Sequence, residues 1–235
     1  MQKLTSPVRL IKKSFAIFSD KDNFLFFVKI YAPLLPFALL SLIQDYFISS
    51  QSKNLNLSNP SMVFSHYPWF MGVYLVVGIA YFVVTFWVSA SGILAVNSIV
   101  ENKKITVKEV FANSWQKVLP FLLLSIILGI LTVLGLVLLI VPGVLVMVWF
   151  SFAGYEMVLN GSGIKASMSN SKKLVSGRFW KVFGRIVVFG VFMILVQLVF
   201  SLIPYNVGSL ITPLLGALTL LPYLLLYKEL SVPNS

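Results

Sequence analysis

The chain has 235 residues, of which 58% are hydrophobic and 11% charged, with 18 Lys and Arg against 7 Asp and Glu and a formal net charge of +11. A soluble domain clothes itself with about a quarter charged residues, so this composition excludes an ordinary water-soluble fold and points to an integral membrane protein. The absence of cysteine excludes disulfides, thiol catalysis and cysteine-based metal sites.

A membrane-crossing helix needs about 20 apolar residues, and the chain can be cut into six such spans. It opens with a segment, residues 6–19, that reads as an amphipathic helix. Ser6 is its N-cap and Pro7 its first helical position, Val8, Ile11, Phe15 and Phe18 share a face, and Arg9, Lys12 and Lys13 fall elsewhere. The first span follows at 24–49, with Gln44 and Asp45 near its far end, where interhelical hydrogen bonds are the usual fate of such groups. Asp20 and Asp22 precede this span and no small-residue cleavage site follows, so it is expected to remain as an anchor. A polar loop then holds Lys53, the sequon Asn56-Leu57-Ser58 and the lone histidine, His66, which has no cysteine or carboxylate beside it for a metal site. The second span, 68–97, is long enough to tilt, although periodicity alone does not distinguish one tilted helix from a span plus a re-entrant piece.

A second amphipathic helix is expected at 106–116, where Thr106 and Glu109 form a capping-box pattern ahead of Val107, Val110, Phe111 and Trp115. The stretch from Leu119 up to Glu156 carries no charge and accommodates spans at 118–140 and 142–160. Pro142 and Gly143 are the expected hairpin turn between them, because proline cannot continue the hydrogen-bond ladder and glycine accepts turn dihedrals. A third amphipathic helix, 162–176, places Ile164, Met168, Ser171 and Val175 on one face beside Lys165, Lys172 and Lys173. Its serines, Ser167, Ser169, Ser171 and Ser176, have no acid–base partner and read as a solvated face. Two last spans, 183–203 and 209–227, split around Pro204. The expected fold is all-α, a single polytopic bundle of six transmembrane helices with cytoplasmic interfacial amphipathic helices.

With both termini cytoplasmic, seventeen of the eighteen Lys and Arg residues fall on that side and only Lys53 on the other, so the positive-inside bias sets this orientation, in what reads as a prokaryotic cytoplasmic membrane. The cations lie in short segments beside apolar spans, which makes anionic lipid headgroups the expected partner and nucleic acid not. Trp115 and Trp180, like Lys12 and Lys13, are expected interfacial anchors. The junctions Ser114-Trp115-Gln116-Lys117-Val118 and Arg178-Phe179-Trp180-Lys181-Val182 look alike, as they would in a threefold repeat of interfacial helix plus hairpin, or simply because spans tend to start this way.

Few polar groups enter the spans. Glu156 lies about one turn from the cytoplasmic end of the fourth, where an unpaired carboxylate costs a few kcal/mol. A proton-coupling or headgroup-ammonium site is one reading, and a salt bridge to Lys165, Lys181 or Arg185 is the favoured one. Arg185 is placed to pair with Glu156 or a lipid phosphate, or to snorkel, and Lys181, Lys172 and Lys173 complete the candidate headgroup site. Gln197 in the fifth span is expected to bond within the bundle, and Gly129, Gly135, Gly184 and Gly190 to mark helix contacts. Gly161-Ser162-Gly163 before Lys165 is too short to cradle a phosphate, so no cofactor, metal or catalytic residue is expected.

The run Leu139-Ile140-Val141-Pro142-Gly143-Val144-Leu145, then Phe152-Ala153, Val158-Leu159, Ala166, Ser171, Lys173-Leu174-Val175, Gly177 and Trp180, resembles the membrane domain of glycerophosphoryl diester phosphodiesterases and related polytopic membrane proteins. The resemblance covers residues 118–200 best. The family pattern often has an acid after the Val-Leu pair, where this chain has Asn160, with Glu156 nearby. No stretch remains for the soluble barrel, which takes about 250 residues. The resemblance therefore implies a membrane scaffold without hydrolysis. The leading functional expectation is a non-enzymatic lipid-interacting or scaffold module, and the alternative is a transporter of small molecules, ions or lipids built from three helical hairpins.

Overall fold

A computed structural model describes residues 4–51, 68–202 and 211–232, apart from the side chains of residues 44, 45, 47–51, 68–71 and 201. Lys53, Asn56, His66 and the break around Pro204 lie outside the described residues, as do the side chains of Gln44 and Asp45. The described chain is helical and contains no strand. Its α-helices are α1 (Pro7–Ser19), α2 (Lys21–Tyr31), α3 (Leu35–Gln51), α4 (Pro68–Val100), α5 (Val107–Trp115), α6 (Val118–Leu138), α7 (Ile140–Trp149), α8 (Ala153–Asn160), α9 (Ile164–Val175), α10 (Phe179–Ser201) and α11 (Leu215–Ser231). Six apolar helical stretches are long enough to cross a membrane: Lys21–Ile43, Gly72–Val100, Val118–Leu138, Ile140–Asn160, Phe179–Phe200 and Thr212–Ser231. The protein is an all-α polytopic membrane protein.

The second span is one continuous helix of 33 residues. At 1.5 Å per residue it is roughly 50 Å long, well beyond the hydrocarbon layer, so it needs tilt or protrusion and no re-entrant piece. Two spans expected to be unbroken are interrupted. The first bends through a 3-10 turn at Ala32–Leu34, where Pro33 cannot donate to the helical ladder. The fourth divides into α7 and α8 around Phe150–Phe152, without a local proline.

The turn between the third and fourth spans also differs in place. Leu139 is extended (φ −163°, ψ 142°) and makes the turn, while Pro142 and Gly143 sit inside the first turn of α7. Proline fits there because the first N–H groups of a helix have no intrahelical acceptor. Gly143 is instead a contact. A Cβ on Gly135 would come within 2.8 Å of the Gly143 Cα, and one on Gly143 within 2.8 Å of the Leu136 backbone N. Gly129, Gly184 and Gly190 face open space, so of the four glycines expected at helix contacts only Gly135 makes one. Gln197 is exposed rather than bonded within the bundle.

Three short helices share one design. Each packs on the end of an even-numbered span: α5 on α4, α9 on α8, and α1 on α11 at the opposite end of the sequence. Even crossings separate them, so all three lie at the same end of the bundle as the described termini. Each buries the residues four and eight positions after its N-cap: Leu10 and Ser14 after Ser6, Val110 and Ser114 after Thr106, Ser167 and Ser171 after Gly163. A cation or large apolar residue at the next position, as at Trp115 or Lys172, faces outward. The capping box forms as expected, with the Glu109 N–H donating to Thr106 Oγ1 at 3.2 Å and the Thr106 N–H to Glu109 Oε2 at 2.7 Å.

Gly135→Ala is expected to splay the α6–α7 hairpin and cost about 1–3 kcal/mol by overpacking, whereas Gly129→Ala, in open space, should not destabilise. Thermal unfolding of the two variants in the same detergent distinguishes them.

Candidate functional site at the basic end

Glu156 is 6% exposed, on the buried face of α8. Its Oε1 accepts a hydrogen bond from the Tyr227 hydroxyl at 3.0 Å, and its Oε2 accepts from Asn160 Nδ2 at 3.0 Å and Asn170 Nδ2 at 3.3 Å. Asn160 Nδ2 also donates to the Tyr227 hydroxyl at 3.0 Å, which directs the phenolic hydrogen toward the carboxylate. Helical spacing assembles this group: Glu156 and Asn160 are four apart on α8, Asn170 comes from α9, and Tyr227 from α11. Among the described residues none of Lys165, Lys181 and Arg185 forms an ion pair with Glu156, so the expected salt bridge is replaced by neutral donors. Such donors offset the cost of burying the carboxylate without adding a second buried ion. Tyr155 stacks on Tyr227 with centroids 5.8 Å apart and donates to the Leu220 carbonyl at 3.1 Å, closing the apolar side.

Arg185 does not meet Glu156. It lies in the second turn of α10 and grips the amino-terminal segment, with Nε donating to the Thr5 carbonyl at 3.0 Å and Nη2 to the Leu4 and Thr5 carbonyls at 3.0 and 2.9 Å. Nη1 donates to the Lys181 carbonyl at 2.7 Å. The Thr5 N–H in turn donates to Glu229 Oε2 at 3.1 Å. Lys181 and Lys173 are exposed, and Lys172 sits 4.6 Å above the centre of the Trp149 ring, a cation–π arrangement. The expected site of five residues therefore separates into a buried carboxylate cluster, a clamp on the chain start and an outward-facing rim of lysines. Trp115 and Trp180 are exposed at 59% and 78%, as anchors would be.

No family model, curated protein or solved structure matches the chain.

Three features were not anticipated from the residues. Asn160, Asn170 and Tyr227 have no motif spacing, since they converge from three helices. Ser167 and Ser171 are buried rather than solvated, while Ser169 and Ser176 are exposed as expected. The Ser171 hydroxyl donates to the Trp149 carbonyl at 2.7 Å and accepts from the Phe152 N–H at 3.1 Å, which is why the fourth span breaks there without a proline. The signal in the sequence is a serine at one register in all three short helices.

Lys117 donates its ammonium to the Val158 carbonyl near the end of α8, and burial pushes its pKa down. Glu101 bridges Lys103 and Lys228, tying α4 to α11, and their hydrogen bonds hold its carboxyl down at about 2. Among the described residues no group of three or more metal-ligating side chains forms.

Tyr227→Phe leaves Glu156 Oε1 without a donor and is expected to cost about 1–3 kcal/mol, whereas Asn113→Ala on the exposed face of α5 should be silent. Unfolding midpoints of the purified variants measure the difference. The Glu101 tie stabilises the fold above that carboxyl's ordinary value of 4.5 and fades as pH falls toward about 2, because the folded state holds the proton less tightly. Glu101→Gln should flatten the stability profile through that window in an acid titration followed by unfolding.

Proposed function

We propose that this protein is a non-enzymatic, lipid-interacting membrane module whose three short helices lie in the cytoplasmic interface and gather anionic headgroups. The observation that carries this reading is the division of each short helix into a buried face and an exposed, cationic or aromatic one. Arg9, Lys12 and Lys13 on α1, Lys108 and Trp115 on α5, and Lys165, Lys172 and Lys173 on α9 all face outward at the same end of the bundle. Basic amphipathic helices in that position seat their cations among anionic headgroups, at about 1 kcal/mol per Lys or Arg. The positive-inside bias makes that end cytoplasmic. The resemblance to the membrane domain of glycerophosphoryl diester phosphodiesterases is consistent with a scaffold and carries no hydrolytic chemistry to this chain.

Neutralising Lys12, Lys13, Lys172 and Lys173 together to Gln should reduce the anionic fraction of lipid that copurifies with the protein from mixed bilayers. An unchanged lipid selectivity would refute the proposal.

A second reading, transport, is favoured by the buried Glu156 carboxylate, because an acid set inside a bundle of spans is a common mark of an ion or proton path. Proteoliposomes carrying wild type or Glu156→Gln decide it: proton or cation flux present in wild type and lost in the variant supports transport, and equally negligible flux in both removes its main support.

A further inference from the structure

A cavity of about 430 Å³ opens at the basic end between α1, the end of α4 and α11. Its volume falls within the range of ordinary small-molecule sites, about 300–1,000 Å³. Three cations line it, Arg9, Lys13 and Lys228, against one carboxylate, Glu229. Glu229 is already engaged, since its Oε2 accepts the Thr5 N–H, and Lys228 shares Glu101 with Lys103. Arg9 and Lys13 lie four apart on α1 and so project from one side of it, and among the described residues neither has a carboxylate oxygen within 4 Å. The wall is therefore net positive, with Arg9 and Lys13 in no ion pair among the described residues and Glu229 its one carboxylate. Apart from Thr5 the rest of the wall is apolar, with Leu225 and Val232 among its residues.

We propose that this cavity binds the phosphate of an anionic phospholipid headgroup. The assignment rests on the lipid-interacting reading above and names one stoichiometric site within it. The Arg9 guanidinium offers a planar fork matched to two phosphate oxygens, and Lys13 a second, point-like positive charge. Leu225 and Val232 suit the glycerol and the first methylenes of a lipid, which a free inorganic anion lacks. The position fits as well, because α1 packs on α11, whose end closes the sixth apolar stretch.

The test is native mass spectrometry of the full chain released from nanodiscs of phosphatidylcholine with a minor share of phosphatidylglycerol. Wild type and the Lys104→Gln variant, which removes an exposed cation outside both the cavity and the three short helices, should each retain one phosphatidylglycerol. Arg9→Gln/Lys13→Gln should lose it by at least roughly tenfold, the scale of a charge-assisted hydrogen bond. Val232→Trp, which fills the mouth of the cavity and removes no charge, should lose it too and guards against a folding defect in the double variant. Retention equal to wild type in both cavity variants overturns the site. Because bulk anionic enrichment is read separately from the single retained lipid, that result leaves the broader lipid reading standing. If inorganic phosphate at millimolar concentration displaces the lipid from wild type, the source is a free anion and the lipid assignment is overturned.

Discussion

Where the fourth span breaks, the Trp149 carbonyl and the Phe152 N–H lose their helical partners inside an apolar bundle, and one hydroxyl, that of Ser171, takes both. In hydrocarbon there is no water to substitute, and an unpaired backbone group costs several kcal/mol, so irregular backbone survives only where protein repairs it. This repair ties α9 to the fourth span and so fixes the height at which Asn170 stands opposite Glu156. The carboxylate cluster thus depends on a hydroxyl that makes no contact with it. At the equivalent register Ser114 meets Ser91 of α4 at 2.6 Å, and Ser14 returns its hydrogen bond to the Leu10 carbonyl of its own helix at 2.8 Å. The same small residue therefore seats all three short helices, because a side chain of that size lets helices approach closely while carrying one donor and one acceptor of its own.

The two charges that the sequence places nearest each other at the fourth and fifth spans follow separate solutions. Glu156 is surrounded by neutral donors, whereas Arg185 directs its N–H groups to backbone carbonyls of Leu4, Thr5 and Lys181. Pairing them would add Coulomb attraction but would desolvate two ions instead of one. Kept apart, they hold different parts of the fold. The carboxylate joins α8, α9 and α11, and the guanidinium fastens the chain start against α10.

Much of the fold was legible because it follows from strong, local signals. Apolar length gave six spans, the Thr106–Glu109 pair gave a cap, and Pro7 after Ser6 gave the start of α1. What was not legible is the result of contacts between distant segments. The Phe150–Phe152 break has no proline, since its cause lies some twenty residues away in α9. Pro142 and Gly143 looked like a turn because those residues punctuate chains, yet proline suits a first helical turn equally well, and Gly143 is required by the approach of α6. The site was half legible. Glu156 stood out as an acid in an apolar run, but a carboxylate in a basic protein invites a salt bridge, and only the fold reveals that two asparagines and a tyrosine arrive first.

The order short helix, span, span recurs along the sequence, whereas packing joins each short helix to the end of an even-numbered span. For α5 and α9 that span is the preceding one in sequence. For α1 nothing described precedes it, and its partner is α11, more than two hundred residues later. On α11, α1 thus takes the place that α5 takes on α4 and α9 on α8. The Arg185 grip on Leu4 and Thr5 and the bond from Thr5 to Glu229 then have a physical reason, since without them the third position would be held by α1 packing alone. It also explains why Arg9 and Lys13 share a wall with Lys228: a cavity built from both ends of the chain collects cations that sequence order keeps far apart.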